Sequence, residues 1–219
     1  MKVLITAGPT HEAIDPVRFI ANKSSGKMGY ALAHAFVSLG HEVVLVSGPV
    51  HIPLPDKRIQ VVSVMSARDM YLAAMDHLGY DIAVMAAAVA DYRPKLVWDS
   101  KMKKPLHGGE TMYLELEKTE DILASLGERK HASQVIIGFA LESDRGMESA
   151  RQKLVRKNAD AIVLNSLLDQ GAGFGHDTNV VSILLANGTT EKLPLMAKTE
   201  IANLLANKAC DLWHQKQAG

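Results

Sequence analysis

The feature that most narrows the possible folds is a series of short, wholly apolar runs alternating with helical patterns. Ile82–Ala90 is apolar for nine residues. It overlaps an expected strand, Asp81–Ala87, without the polar alternation of a strand that has one wet face. Such strands sit inside parallel sheets covered on both faces. Val3–Thr6, Val43–Val46, Val135–Phe139 and Ala161–Leu164 read the same way. Each is separated from the next by enough chain for a crossover.

The spacing predicts a helix over Gly26–Leu39, stopped by Gly40. Gln60–Val64 is a further strand, and Ser66-x-x-Asp69 is a start signal for a helix reaching Leu78. Ala88–Thr111 carries Pro94, Pro105, Gly108 and Gly109 and is too long for an idle loop, so residues from about 92 to 111 are expected to form a lid. Met112–Glu117 alternates and predicts a half-exposed strand. A short helix follows Thr119, and another covers Met147–Lys157. After the glycine-rich stretch Gly171–Gly175, Asn187-Gly188 marks a hairpin, and a helix from Thr199 to His214 closes the chain. The expected fold is α/β: a doubly wound, mostly parallel, Rossmann-like sheet with an antiparallel edge hairpin and a long lid loop, in one domain spanning 1–219. Ligands bind such sheets at the carboxyl ends of the strands. That rule selects Gly8–Asn22, Ala86–Lys104, Phe139–Asp144 and Asn165.

Composition removes several functions. Lys plus Arg and Asp plus Glu are both 24, so the chain has no broad electrostatic grip on nucleic acid. Nine apolar residues cannot cross a bilayer, and no signal segment opens the chain. One cysteine, Cys210, allows no internal disulfide and suits a reducing compartment. Any anion site must come from local clustering.

Four segments could build one. Thr6-Ala7-Gly8-Pro9-Thr10 is followed by Ser24-Ser25-Gly26-Lys27 at the expected start of a helix. Small residues, hydroxyls and free amides there suit phosphate, although a plain N-capped helix has the same pattern. Asp91 closes a run of small residues after a strand. It could accept from a ribose or base, hold a metal, or cap a turn. Lys101-Met102-Lys103-Lys104 is either a solvated charge run or an anion clamp. Lys153 and Lys157, four apart, share a helical face, the usual pattern of an exposed helix. The G-x-G-x-x-G of dinucleotide folds is absent. Ala21 and Met28 break a Walker loop, and no Tyr-x-x-x-Lys, zinc-protease or G-x-S-x-G pattern is present.

Taken together, TAGPT (6–10), DPVRFIANKSSGKMG (15–29), AAVADYRP (87–94), KMKK (101–104), GFALES (138–143) and ARQKLVRKNAD (150–160), with the strand end at Asn165, resemble the phosphopantothenate–cysteine ligase family of coenzyme A biosynthesis over nearly the whole chain. The resemblance implies a cytoplasmic, homodimeric enzyme. Its bacterial members use CTP and Mg2+ to activate the carboxylate of 4′-phosphopantothenate as an acyl-cytidylate, releasing pyrophosphate. The amine of L-cysteine then displaces CMP. No flavin is implied for this part of the family. Many relatives carry a flavin-dependent decarboxylase ahead of the domain, and a chain starting at the ligase strand suits a monofunctional protein or an excised domain equally.

Residue by residue, the resemblance places Asn22 at the acyl group and Lys101 at the triphosphate. Arg18 would steady phosphopantothenate one helical turn before Asn22, and Ala87 and Ala88 would line that pocket. It gives nucleotide contacts to Asp91, Phe139, Lys153 and Lys157, and to a turn holding Thr119, Asp121 and Ile122; Gly8, Ser24, Ser25 and Gly26 are expected to contact the nucleotide on their own chemistry, as the phosphate site described above. That turn reads Thr-Glu-Asp-Ile where Asn-Pro-Asp-Ile is more usual. Leu141 and Ser143 depart from a common Ala and Thr. No residue is implied as a metal ligand. A nicotinamide-dependent reductase and a non-catalytic nucleotide sensor are the rival readings of such a sheet.

Overall fold

The computed structural model describes residues 1–103, 111–142, 146–166 and 176–218. The part of the expected lid from Lys104 to 110, Ser143, and the stretch 171–175 lie outside the described residues.

β1 (Lys2–Ala7) leads into a small hairpin, β2 (His11–Ala13) and β3 (Phe19–Ala21), then α1 (Lys27–Ser38), β4 (Glu42–Ser47), β5 (Gln60–Ser63), α2 (Ala67–Met75) and β6 (Ile82–Met85). β7 (Tyr92–Pro94) and β8 (Leu116–Lys118) pair antiparallel as a separate ribbon. α3 (Ile122–Arg129), β9 (Val135–Glu142), α4 (Gly146–Arg156) and β10 (Ala161–Ser166) follow. β11 (Thr178–Asn179), β12 (Val181–Leu185), β13 (Thr190–Lys192), β14 (Met196–Ala197) and α5 (Lys198–Ala218) complete the chain.

The main sheet has eight strands in the order β13-β12-β10-β9-β6-β1-β4-β5. From β5 to β10 every pair is parallel. The hairpin β12–β13, turning at Gly188 with φ 90°, adds the antiparallel edge. Strand alternation splits the core into two layers. Val3, Ile5 and Ala7 meet α1 and α5, through Leu32, Phe36, Ile201 and Leu205. Leu4, Ala83 and Ile136 meet Met70 of α2, Leu126 of α3 and Leu154 of α4. Phe36 is fully buried, worth about 1.5–3 kcal/mol, which is why α1 docks although its N-cap, Gly26, makes no side-chain cap.

The chain leaves β1 toward β4 and β5, then returns to add β6 on the other side. The strand order therefore reverses between β1 and β6, which places the ligand crevice there. The ladder continues past both strand ends through a parallel bridge, Pro9 to Ala88. Ser66 and Asp69 form the expected capping box, but α2 stops at Met75, short of Leu78. The expected strand Met112–Glu117 is also corrected: only Leu116–Lys118 is extended, and it pairs with β7 outside the main sheet. The alternation there reflects a ribbon with one face exposed.

Candidate active site

Threonine side chains set the backbone at the crevice. The Ala87 amide donates to Thr6 Oγ1 at 3.3 Å, and the Ala90 amide to Thr10 Oγ1 at 3.0 Å. Ala88 N donates to the Gly8 carbonyl at 2.9 Å. Segment 86–90 is thus stitched to the extension of β1. Ala87 and Ala88 are both half-buried there.

Asn22 lies beside this segment. Its Nδ2 donates to the carbonyls of Val89 (2.9 Å) and Ala88 (3.3 Å). Only the amino end of the amide can face two carbonyls, so Oδ1 is directed away from them. β3 is extended, so Arg18 and Asn22 do not share a helical face as their spacing suggested. Arg18 instead folds back on Asp15, with Nε at 2.9 Å, and reaches the Met102 carbonyl at 3.0 Å. The Arg18 guanidinium is the main cause holding the Asp15 carboxyl well below the usual carboxylate range. Lys101, next to Met102, is exposed.

A cleft of about 1270 Å3 opens past the ends of β1, β6 and β9. Its lining brings together Ala87, Asp91, Thr119, Asp121, Ile122, Phe139, Lys153 and Lys157, which come from four separate stretches of sequence. Gly8, Arg18, Asn22, Ser24, Ser25, Gly26, Ala88 and Lys101 are not in that lining. Asn22 nevertheless touches the strand-end segment that borders it. Thr119 Oγ1 donates to the Ala90 carbonyl at 2.6 Å, and Thr119 N to the Asp91 carbonyl at 3.0 Å. The departure from asparagine at this position therefore still fastens the turn to the strand end.

The two lysines of α4 and its end are tethered inward. Lys153 Nζ donates to the Phe139 carbonyl at 2.9 Å, and Lys157 pairs with Asp121. Burial acts to raise the Asp121 pKa, but the Lys157 hydrogen bond, the Ala124 amide and the lysine charges outweigh it and lower it. The sequence reading missed Lys118, Arg151 and Arg156, which line the same cleft. Arg151 and Arg156 stand in the segment that carried the resemblance; Arg156, three residues after Lys153, shares its helical face, which was the available signal for it, whereas Arg151, two residues before, has no such phase. The lining holds five basic residues (118, 151, 153, 156, 157) and three acidic ones (91, 120, 121). A chain of zero net charge has thus gathered an anion-attracting wall.

The other expected anion site is differently built. Gly8 and Gly26 both have φ 77°, and a Cβ on Gly26 would stand 2.7 Å from Val50 Cγ1 and 3.4 Å from the Gly8 Cα. A Cβ on Gly29 would lie 2.4 Å from that of Ala7. Turn, close approach and helix–strand packing are the three glycine roles of a dinucleotide fingerprint. Here Gly8, Gly26 and Gly29 hold them with the β2–β3 hairpin inserted between. Ser24 Oγ accepts from the Gly26 amide at 3.3 Å, and Lys27 pairs with Asp177 at 2.6 Å.

Residues 1–212 match the family described as DNA/pantothenate metabolism flavoprotein C-terminal domain. The Coenzyme A biosynthesis bifunctional protein CoaBC of Bacillus subtilis (strain 168) is 51% identical over 201 residues, 91% of this chain and 48% of that protein. A protein from an unknown prokaryotic organism, named cysteine/cysteine sulfinic acid decarboxylase, is 47% identical over 97% of this chain and 59% of its own length. The chain thus spans about half the length of these curated relatives. Among solved structures, the C-terminal domain of a CoaBC protein aligns with TM-score 0.81 and 42% identity, covering 100% of this chain and 96% of that one.

Proposed function

We propose a ligase activity for this chain, which belongs to the DNA/pantothenate metabolism flavoprotein C-terminal domain family: joining 4′-phosphopantothenate to L-cysteine through an acyl-cytidylate made from CTP. The observation that carries this reading is the pairing of a basic cleft with a small-residue strand end. The nucleotide occupies the cleft and the acyl group the neighbouring Asn22–Ala88 side. The likeness to the CoaBC C-terminal domain over the full chain supports it.

The chemistry asks for what the site holds. A carboxylate attacking a triphosphate brings like charges close, at about 4 kcal/mol for each pair 4 Å apart in an effective dielectric of 20. Lys101, Arg151, Lys153 and Arg156 offset that repulsion, and Asp91 accepts from the ribose or base. Gly8, Ser24, Ser25 and Gly26 border the phosphate end at the start of α1. Asn22 orients the acyl group through Oδ1 while its amino group is fixed by the strand end. Among the described residues no three His, Cys, Asp or Glu side chains converge to hold a metal. Mg2+ would enter with the nucleotide's phosphates, where one or two carboxylates suffice to hold it.

A second copy of the chain belongs to the same reading. Phe19 and Val17 of the β2–β3 hairpin and Leu96, Val97 and Tyr113 around β7–β8 are exposed apolar side chains, Tyr113 at 88%. The Trp98 amide ties the two arms by donating to the Ile14 carbonyl at 3.0 Å. Among the described residues no helix is long and apolar enough to cross a membrane. A cytoplasmic location for the reaction is part of the same proposal, on the ground that its substrates are small and polar.

The test is the first half-reaction. CTP with phosphopantothenate, and no cysteine, should release pyrophosphate and leave a bound acyl-cytidylate. The same assay with ATP sets the nucleotide preference. No pyrophosphate above background with either nucleotide would overturn the ligase.

A further inference from the structure

The Asp15 side chain is fully shielded from solvent, yet its bonds serve no core packing. Oδ1 accepts from the amides of Val17 (2.8 Å) and Arg18 (2.9 Å) and closes the turn ahead of β3. Oδ2 accepts from Arg18 Nε and Nη2 and from the amide of Met102, the last at 3.1 Å. Arg18 Nη2 then donates to the Met102 carbonyl. Both peptide groups of Met102 are thereby clamped by a turn more than eighty residues earlier in the chain.

Burying a carboxylate is costly unless it is paired and hydrogen-bonded. Here the pairing is complete, and its long-range bonds run to a single exposed segment. That segment carries Lys101, and the turn itself leads to Asn22. A loop lysine has many conformers, and its charge acts on a phosphate only when its backbone is held.

We propose that Asp15 is a positioning residue for nucleotide activation: with Arg18 it clamps the Met102 peptide and so fixes the backbone of Lys101 relative to the Asn22 turn. The inference rests on the ligase reading. It also reassigns Arg18, whose fork is engaged by Asp15 and Met102, from steadying phosphopantothenate to holding the segment next to Lys101.

Two measurements test it on the full chain. Pyrophosphate release from CTP and phosphopantothenate is compared for wild type, Asp15→Asn, Lys101→Ala and the double variant. Asp15→Asn should lower kcat about tenfold or more with the KM for CTP nearly unchanged. The double variant should be no slower than Lys101→Ala alone, because the clamp acts through that lysine. Trypsin should also nick the Lys101–Met102 bond about tenfold faster in Asp15→Asn than in wild type, since cleavage requires local opening. Additive losses, or wild-type nicking, would overturn the proposal. Should Asp15→Asn not fold, Met102→Pro removes the clamped amide hydrogen, together with the methionine side chain and the freedom of φ, and should show a fall in kcat at least as large. Wild-type turnover in that variant would overturn the proposal as well. Absence of pyrophosphate from the wild type sinks the ligase reading, whereas normal wild-type release with additive losses sinks this inference alone.

Discussion

At the scale of single residues, Asn22 shows how a tertiary contact sharpens a role. Both its amide hydrogens serve backbone carbonyls at 2.9 and 3.3 Å. Asn22→Asp replaces that donor with a carboxylate facing two carbonyl oxygens, so the side chain must turn away. Turnover to product should fall about a hundredfold with the melting temperature nearly unchanged, as the residue is exposed. Steady-state kinetics beside a thermal melt checks both halves. Gly29 is the opposite case, a residue whose importance is purely steric. A Cβ there would meet the Ala7 Cβ at 2.4 Å, whereas one on Gly79 would meet nothing within 4 Å. Gly29→Ala should cost about 1–3 kcal/mol of overpacking. Gly79→Ala should leave the urea midpoint within error of wild type or above it.

At the scale of elements, α3 depends on one carboxylate for two things. Asp121 accepts from the Ala124 amide at 2.9 Å as N-cap and pairs with Lys157. Its pKa in the fold is lowered, so the unfolded chain binds its proton more readily. The stability it contributes is present above the unfolded value of about 3.9 and is lost as pH falls through the folded one. Asp121→Ala should cost about 1 kcal/mol at neutral pH, mostly the cap, since its half-exposed ion pair adds little. Urea titrations of wild type and variant should converge below about pH 4; a gap undiminished at pH 3 would contradict the assignment. The element boundaries were largely legible because both caps and apolar runs are local signals. β2–β3 and β7–β8 were not, because each is held by a partner strand distant in sequence or set in a loop with no apolar stripe. The split glycine fingerprint was invisible for a related reason: Gly8 and Gly26 meet only after the β2–β3 hairpin folds out between them.

At the scale of the molecule, the sheet order decides where chemistry gathers. Reversal between β1 and β6 opens the crevice, and α4 turns Lys153 and Arg156 toward it from the far side of β9. The exposed apolar arms, with Phe19 51% and Leu96 63% accessible, lie next to the Asn22 turn. In the proposed assembly a second copy covers them. Sedimentation should then report a dimer for wild type and a monomer for Phe19→Asp; a monomeric wild type would remove the twofold mate from the account.

The chain's own order of residues determined the βαβ alternation, the edge hairpin at Asn187-Gly188 and the motif segments, because periodicity and turn chemistry act over a few residues. It also allowed the family resemblance. Which of those segments share a cleft was decided only by the tertiary structure. The same holds for the tethering of Lys153 and Lys157 to Phe139 and Asp121, and for the turning of Arg18 inward to Asp15 and Met102. A side chain's partners depend on strand order and crossover direction, which bring together residues dozens of positions apart, and no local pattern encodes that distance.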